Sequence, residues 1–496
     1  MKTLFCNAGP GMNPKSRYII LLILMVLQFT AARAQSKQYV LQAGASLSNI
    51  TPFLEGGIVG NFGVPPQAKY IHDELFAKSL VLDDGQQQIA IVIVDNLQIS
   101  REVFDYARQL IQEKTGMKKE NILLAATHTH SSVSASGVDD QRMNFNYARP
   151  LDEYQTFVAK RIADGVRRAI YQKEPAKIGW GSVQVPQHVF NRRWIMKEGA
   201  DVPNPFGGQD KARMNPGVGN PDLVRPAGPT DPELYFVSVQ ALDGRPIGLL
   251  ANYSLHYVGG VPADHISSDY FGAFAGYFTK LVEADKNVAG FVAMMSNGTS
   301  GNINNINFRG PAEKMSSYQK MQIVAKDVAE AAYKGSKGLT YKTDVKLGAV
   351  YSELNLEVRK PTPAMLARAK EVLANPDKMK HYHQQEPTYA KRIIQIQENW
   401  PDKIDVVMQT LQIGDLGIAA IPFETFAETG LEIKAKSPFK STFVIELANG
   451  SYGYLPTPEQ HELGGYETWL GTNRVEKQGS AKITKRLLEQ FNQMKK

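Results

Sequence analysis

ELFAKSLVLDDGQQQIAIVIVDN, Glu74 to Asn96, decides the fold class. Two runs of strand-forming residues flank Asp84-Gly85, a dipeptide suited to the tight turn of a hairpin. The next segment is helical: Ser100 stands at the N-cap of SREVFDYARQLIQEKTG, Glu102 sits in the first turn, and Gly116 lies just past the end. NILLAATHTH then returns to strand. Further along, LYFVSVQALDGRPIGLLANYSLH (234–256) repeats the strand, Asp-Gly, strand pattern before the helix DYFGAFAGYFTKLVEA and the buried strand GFVAMMSNGTSG. DVVMQTLQIGDLGIAAIPFE and TFVIELANGSYGY add strands near the end, and AKITKRLLEQFNQ closes the chain as an amphipathic helix. Helices are also expected over 152–172, 318–335, 363–375 and 386–399, with a Pro/Gly/Asn-rich loop over 201–231. Strands alternate with helices, but hairpins intrude. The class is α/β, with mixed β-sheets flanked by helices. No internal repeat is visible in the sequence.

The first 34 residues read differently. Lys15 and Arg17 precede YIILLILMVLQF, and Ala31-Ala-Arg-Ala34 follows it, the pattern of a secretory signal peptide cleaved after Ala34. The apolar run is too short to span a bilayer comfortably. The expected domains are a leader over 1–34 and one catalytic domain over 35–496, exported to the periplasm or medium, with no transmembrane segment in the mature chain. The formal net charge of +7 falls to +3 once the leader takes Lys2, Lys15, Arg17 and Arg33 with no acid. A balance this small gives no reason to expect a nucleic-acid partner. The single cysteine, Cys6, leaves with the leader. The mature chain has no thiolate, so any metal is held by His, Asp, Glu or Tyr.

Polar residues with chemical capability gather where the apolar strands stop. ILLAAT runs into His128 and His130, GLLANYSL into His256, GIAAIPF into Glu424 and FVIELANGSYG into Tyr454. Strand ends are where α/β folds place ligand sites. Residues i and i+2 of a strand share a side, so His128 and His130 are expected to point into one space and to suit Zn²⁺. The bland alternative is a pair of satisfied histidines at a strand end. His381 and His383 have the same spacing within KHYHQQE and read as a solvated surface.

ILLAATHTHSS resembles the Ala-Thr-His-Thr-His-Ser-Gly segment of the neutral/alkaline, non-lysosomal ceramidases, zinc amidases that cleave the acyl amide of ceramide. Other segments are similar in the same order: GASLSNITP, FNRR, ANYSLH, ISSDYFGAFA, SNGTSGNINN, IPFETFAETG and ANGSYGYLPTPEQHELGGYE. The resemblance covers nearly all of the mature chain. It implies one zinc per chain on His128, His256, Glu424 and Tyr454. Tyr452 is the competing tyrosine; Tyr454 is preferred because Tyr466, twelve residues on, then falls on the family's other active-site tyrosine. The resemblance also implies that His130 and Tyr466 lie beside the metal. His130 is then the proton shuttle, and His130, Arg192 and Tyr466 are candidates to meet the attacking water and the charge on the acyl oxygen. Arg193 is the alternative to Arg192. Zinc itself lowers the pKa of bound water and so supplies hydroxide near neutral pH.

Two departures bear on the substrate. SGNINN aligned on the family's Gly-Asp-Val-Ser-Pro-Asn puts Asn304 at the family's active-site serine, with Asn302 and Asn305 in place of its Asp and Pro. An acyl-enzyme on a serine at that position is thereby excluded; a zinc-activated water is not, and Asn304 is a catalytic candidate able to hydrogen-bond the substrate or the oxyanion. The chain also ends 30 residues after Tyr466, which implies that the family's C-terminal β-sandwich domain is absent. The expected activity is a zinc-dependent amidohydrolase acting on a small-molecule or lipid acyl amide of the ceramide kind. The alternatives are another acyl substrate on the same scaffold (an ester, lactone or N-acyl sugar) and a non-catalytic zinc-binding module.

Overall fold

In the computed structural model, strand β1 (Gln42–Asn49) pairs antiparallel with β2 (Phe76–Asp83), which turns through Asp84-Gly85 into β3 (Gln88–Val94). Residues 39–136, 150–283 and 290–495 are described. Met1–Tyr39 and Val40–Lys496 form separate units, and every element named belongs to the second. The leader expected over 1–34 lies outside the described residues. Among the described residues no helix is long and apolar enough to cross a membrane.

The hairpin is buried on both faces. Leu80, Leu82, Ile89, Ile91 and Ile93 join one core, while Val81, Ala90, Val92 and Val94 join another. Such double burial explains why the second run, IAIVIV, has no polar alternation. Truncating one of these side chains, such as Ile91→Ala, costs about 2–5 kcal/mol. From β3 the chain enters helix α1 (Arg101–Thr115) and returns in β4 (Ile122–Ala126), parallel to β3. Ser100 occupies the N-cap of α1, but its side chain makes no cap hydrogen bond; Gly116, at φ 72°, ends the helix with its N–H on the Gln112 carbonyl. Helix α2 (Glu153–Tyr171) starts on a capping box made by Asp152 and Gln155. It leads to β5 (Glu174–Gln184), then to the hairpin β6 (Glu233–Ala241) and β7 (Pro246–Tyr253), helix α3 (Asp269–Glu283) and β8 (Val292–Asn297), parallel to β7. These eight strands form one sheet in the order β8-β7-β6-β5-β1-β2-β3-β4.

After helix α4 (Gln319–Ser336), a second sheet forms from β9 (Leu347–Glu357), β10 (Lys403–Ile413), β11 (Leu416–Ile421) and β12 (Ser441–Glu446). Helices α5 (Pro363–Ala374) and α6 (Glu386–Asn399) connect β9 to β10, α7 (Ala427–Lys436) connects β11 to β12, and α8 (Gly479–Lys495) closes the chain. The two sheets face each other across one core: Ala43, Leu80, Ile91 and Val237 from the first, Leu411, Ile418, Phe443 and Ile445 from the second. Outside them, α1 and α2 cover one half of the large sheet, α3 and α4 the other half, and α5, α6 and α8 the small sheet. The layers run helix, sheet, sheet, helix.

One supersecondary unit occurs three times: antiparallel hairpin, helix, then a strand parallel to the hairpin's second strand. It is built from β2-β3-α1-β4, from β6-β7-α3-β8 and from β10-β11-α7-β12. The architecture thus repeats although the sequence shows no repeat. What each copy needs is a turn and two buried strands, and many apolar sequences supply those. The segment 201–231 is also more ordered than a plain loop, with short strands at Pro203–Asn204, Gly208–Gln209, Ala212–Met214 and Leu223–Pro226.

Candidate active site

The chemistry-bearing residues lie just beyond strand ends in all three units. Strand β4 stops at Ala126, and the chain reaches His128 two residues later. There the backbone is left-handed, at φ 78°. His128 N–H donates to the Asn96 carbonyl at 2.9 Å, which holds this conformation in place. A non-glycine residue in this region costs on the order of 1–3 kcal/mol, and such costs concentrate at functional sites. His128 and His130 do converge, with Nε2 atoms 3.2 Å apart, but a backbone turn brings them together, not strand alternation.

His256 follows β7 and places its Nε2 2.9 Å from that of His128. Each of these two rings has its other nitrogen anchored: His128 Nδ1 on the Leu97 carbonyl at 2.8 Å, His256 Nδ1 on the Ser300 carbonyl at 3.1 Å. An Nδ1–H donated to a carbonyl leaves Nε2 as the lone-pair face. Glu424 follows β11, with Oε2 3.4 Å from His128 Nε2 and 3.7 Å from His256 Nε2. Tyr454 enters beside it through a two-residue parallel ladder that pairs Glu424 with Tyr454 and Thr425 with Leu455. The loop after β12 is tied to β4 by the Ala126 N–H on the Leu447 carbonyl and the Asn449 N–H on the Leu124 carbonyl, so the two sheets are joined at the site. Tyr452 packs instead against Phe423 in the core under the small sheet.

Burial opposes charge on both Glu424 and His128, but their mutual attraction outweighs it: the carboxyl lies below its usual range and the imidazole above. Burial, then the neighbouring His128, pushes His130 and His256 well below the ordinary imidazole value. The Tyr454 phenol is pushed well above its usual value by burial and by Glu424, with Arg192 opposing. Convergent lone-pair nitrogens, a buried carboxylate oxygen with no hydrogen-bond donor and an adjacent phenol form a donor set that fits a cation. His128, His130 and His256 form a group able to hold a metal ion.

Arg192 donates from Nη2 to the Tyr454 hydroxyl at 3.0 Å and to the Gly301 carbonyl at 2.8 Å, and from Nε to Glu467 Oε1 at 3.0 Å. Arg193 turns away from the cavity, giving Nη1 to Glu467 Oε2 at 2.7 Å and Nη2 to the Gly464 carbonyl at 2.6 Å. Glu467 therefore bridges both arginines, and Arg192 is the one that touches the cluster. Tyr466 meets Tyr454 edge-on at 5.8 Å and Phe62 at 5.6 Å. His130 stacks on Tyr257 at 3.7 Å. Gly60, at φ 117°, passes so close to His130 that a Cβ there would lie 2.7 Å from its ring. Asn304 is placed differently: its amide donates to Asn215 Oδ1 at 2.7 Å and accepts the Ile306 N–H, so it braces its own turn.

Behind His256, Ser300 Oγ donates to Glu446 at 2.6 Å, and Glu446 also accepts the Ser300 and Thr425 N–H groups. Burial pushes the Glu446 carboxyl up to about 8. Glu446, Glu467, Tyr257 and Gly60 all escape a reading of the sequence. Only the adjacency of Glu467 to Tyr466 offers a signal. His381 and His383 stand apart from the cluster, His381 on the Pro376 carbonyl and His383 against Trp469.

The cluster opens into a cavity of about 830 Å³ lined by His128, His130, Glu424, Tyr454 and Tyr466 at its base. One wall is the loop Gly60–Pro65, the other the segment Gln384–Gln395. Phe62 and Val64 in that loop are 64% and 92% exposed.

The comparisons with known proteins agree with this architecture. The chain is 24% identical over 305 residues to neutral ceramidase from Pseudomonas aeruginosa, an alignment covering 60% of this chain and 42% of that protein. The match thus spans less than half the length of that relative. Its fold is similar to the crystal structure of neutral ceramidase from Pseudomonas aeruginosa, with a TM-score of 0.69 at 17% identity over 91% of this chain and 74% of the other. It is likewise similar to a ceramidase structure complexed with C2, with a TM-score of 0.69 at 16% identity over 92% and 75%. The model of the neutral/alkaline non-lysosomal ceramidase N-terminal region matches residues 41–323, more than half of the chain and all of the first two copies of the hairpin, helix, strand motif, and the chain therefore belongs to that family.

Proposed function

We propose that the chain is an exported zinc-dependent hydrolase that cleaves an acyl amide of the ceramide kind with water. The observation that carries this reading is the convergence of His128 Nε2, His256 Nε2 and Glu424 Oε2, of which His128 and Glu424 line an open cavity, with both Nδ1 atoms tied back to carbonyls. His128, His256, Glu424 and Tyr454 would hold the ion. Bound there, zinc supplies Lewis-acid polarisation of the acyl carbonyl and a lowered pKa for the attacking water.

The remaining roles belong to the chain's own groups. His130 is half-buried and kept neutral by desolvation, with Nε2 facing the cluster, so it accepts a proton from the attacking water as the new C–O bond forms. It returns that proton to the leaving nitrogen as the C–N bond breaks. The products are a carboxylic acid and an amine. The Tyr466 phenol, which burial pushes above its usual value, is a suitable donor to the acyl oxygen. The three donor contacts of Arg192 are already committed within the protein, so its role is to hold the Tyr454 oxygen and favour its anionic form. Asn304 acts on the turn and touches the reaction only through it. A substrate panel on the zinc-loaded mature protein tests the reading: release of fatty acid from ceramide or another acyl amide, lost on chelation and restored by zinc, is expected. Hydrolysis that persists in metal-free protein contradicts it.

A further inference from the structure

Helix α6 forms a wall of the cavity, and its sequence there is cationic and amide-rich. Thr388, Lys391, Arg392 and Gln395 line the cavity at positions i, i+3, i+4 and i+7, one face of the helix. The opposite face, through Ala390, Ile393 and Ile396, is buried, and Tyr389, also buried, still reaches the cavity lining. Arg392 is a held side chain. Its guanidinium lies 4.9 Å from the centre of the Tyr389 ring, and its stem packs where a Cβ on Gly471 (φ 101°) would come within 3.1 Å. Arg474 lines the same cavity. Among the described side chains that line the cavity, Glu424 is the one carboxylate, and it belongs to the histidine cluster. Lys391, Arg392 and Arg474 thus make the outer part of this space positive. The loop Gly60–Pro65 supplies the apolar counterpart through Phe62, Val64 and Pro65.

The sphingoid portion of ceramide, its nitrogen acylated, is uncharged and gains nothing from such a wall, whereas an anion does. Resting on the acyl-amidase reading, we propose that the substrate is a fatty-acyl amide whose amine portion carries a carboxylate or sulfonate, received by Arg392 and Lys391. The acyl chain lies against Phe62 and Val64. Arg392 determines specificity, and it stands apart from the histidine cluster that performs the cleavage.

The test compares N-lauroyl glycine, N-lauroyl taurine and N-lauroyl ethanolamine, which share an acyl chain and differ at the amine, together with ceramide. The zinc-loaded enzyme is expected to favour the glycine or taurine conjugate over the ethanolamide by roughly ten- to a hundredfold in kcat/KM, the worth of one charge-assisted contact. The better of the two anions identifies carboxylate or sulfonate. The preference should shrink with added salt and approach unity in Arg392→Gln, while Arg392→Lys keeps part of it. Equal or better turnover of the ethanolamide or ceramide overturns the proposal, as does a preference untouched by Arg392→Gln. Titration of the same glycine conjugate and ethanolamide into zinc-loaded His130→Ala protein reads binding without turnover. If no amide is hydrolysed, the acyl-amidase reading fails, and this binding ratio still decides the anion site. Should Arg392→Gln not fold, Lys391→Gln and the salt dependence carry the same comparison.

Discussion

Arg192 and Tyr454 are coupled through a hydrogen bond of 3.0 Å, with the guanidinium also lying 5.4 Å from the centre of the tyrosine ring. A phenol raised this far by burial is a poor metal ligand unless positive charge stands next to it. Arg192→Met keeps the length of the side chain and removes the charge. Zinc affinity, measured by competition with a chelator, should fall about 10–100-fold, the usual cost of losing such a supporting contact. Unchanged affinity would remove Tyr454 from the ligand set.

Arg193 offers the contrast. It is fully buried, reaches Glu467, Gln460 and the Gly464 carbonyl, and does not touch the cluster. Arg193→Met breaks a buried ion pair and should lower stability by about 3–5 kcal/mol, read as a fall in Tm. A variant that melts normally yet loses zinc would exchange the roles of the two arginines.

Metal content is the next expectation. His128→Ala removes the residue on which the whole cluster converges. Elemental analysis should find about one zinc per wild-type chain and almost none in the variant, with activity lost in step. A stoichiometry near two, or zinc retained by His128→Ala, would show that the ion sits elsewhere.

How much of this was legible in the sequence depends on the range of the interaction. The hairpin of Phe76–Val94 and the α1 boundaries are local, set by an Asp-Gly turn and a terminal glycine, and they read correctly. The strand-end positions of His128, His256 and Glu424 also read correctly, because an apolar run stops shortly before each, whereas Tyr454 opens a short strand of its own well past the end of β12. The left-handed backbone at His128 was not legible, since it is imposed by a hydrogen bond from a different segment, Asn96. Nor was the Glu467 bridge, which spans 274 and 275 residues to reach its arginines. The facing of the two sheets rests on residues such as Ile91 and Phe443, whose apolar character fits either face.

Gly60 is a local position with a distant effect. Gly60→Ala places a methyl within 2.7 Å of the His130 ring, in a backbone region that alanine avoids. His130 should shift while His128, His256 and Glu424 keep their places. Activity should drop about a hundredfold, the cost of roughly 1 Å of misplacement, with zinc content unchanged. Loss of zinc together with activity would mean that the loop supports the metal cluster itself.

Export gives a prediction independent of the site. The Lys15/Arg17, apolar run, Ala34 pattern is expected to yield a mature N-terminus at Gln35 and a soluble product. Sequencing of the protein recovered from the periplasm or medium checks this. An intact leader in the membrane fraction would contradict it.

His130 and Asn304 separate the chemical step from the turn that supports it. His130 Nε2 faces the cluster, and its ring is held by Tyr257 and Gly60. His130→Ala should lower kcat by roughly two to four orders of magnitude, the worth of a general acid/base, with zinc still bound. Asn304→Ala should lower activity only modestly, because its amide bonds to Asn215 and to the backbone of Ile306. Removing those bonds loosens the turn and should cost about 1 kcal/mol of stability. Both variants are first checked by circular dichroism and thermal melting. A covalent acyl-enzyme trapped on Ser296 or Ser300 would overturn direct attack by water. Ser300 is the stricter case, since its hydroxyl donates to Glu446 and its carbonyl holds His256. A loss in Asn304→Ala as deep as that in His130→Ala, with zinc retained and the fold intact, would place Asn304 in the reaction.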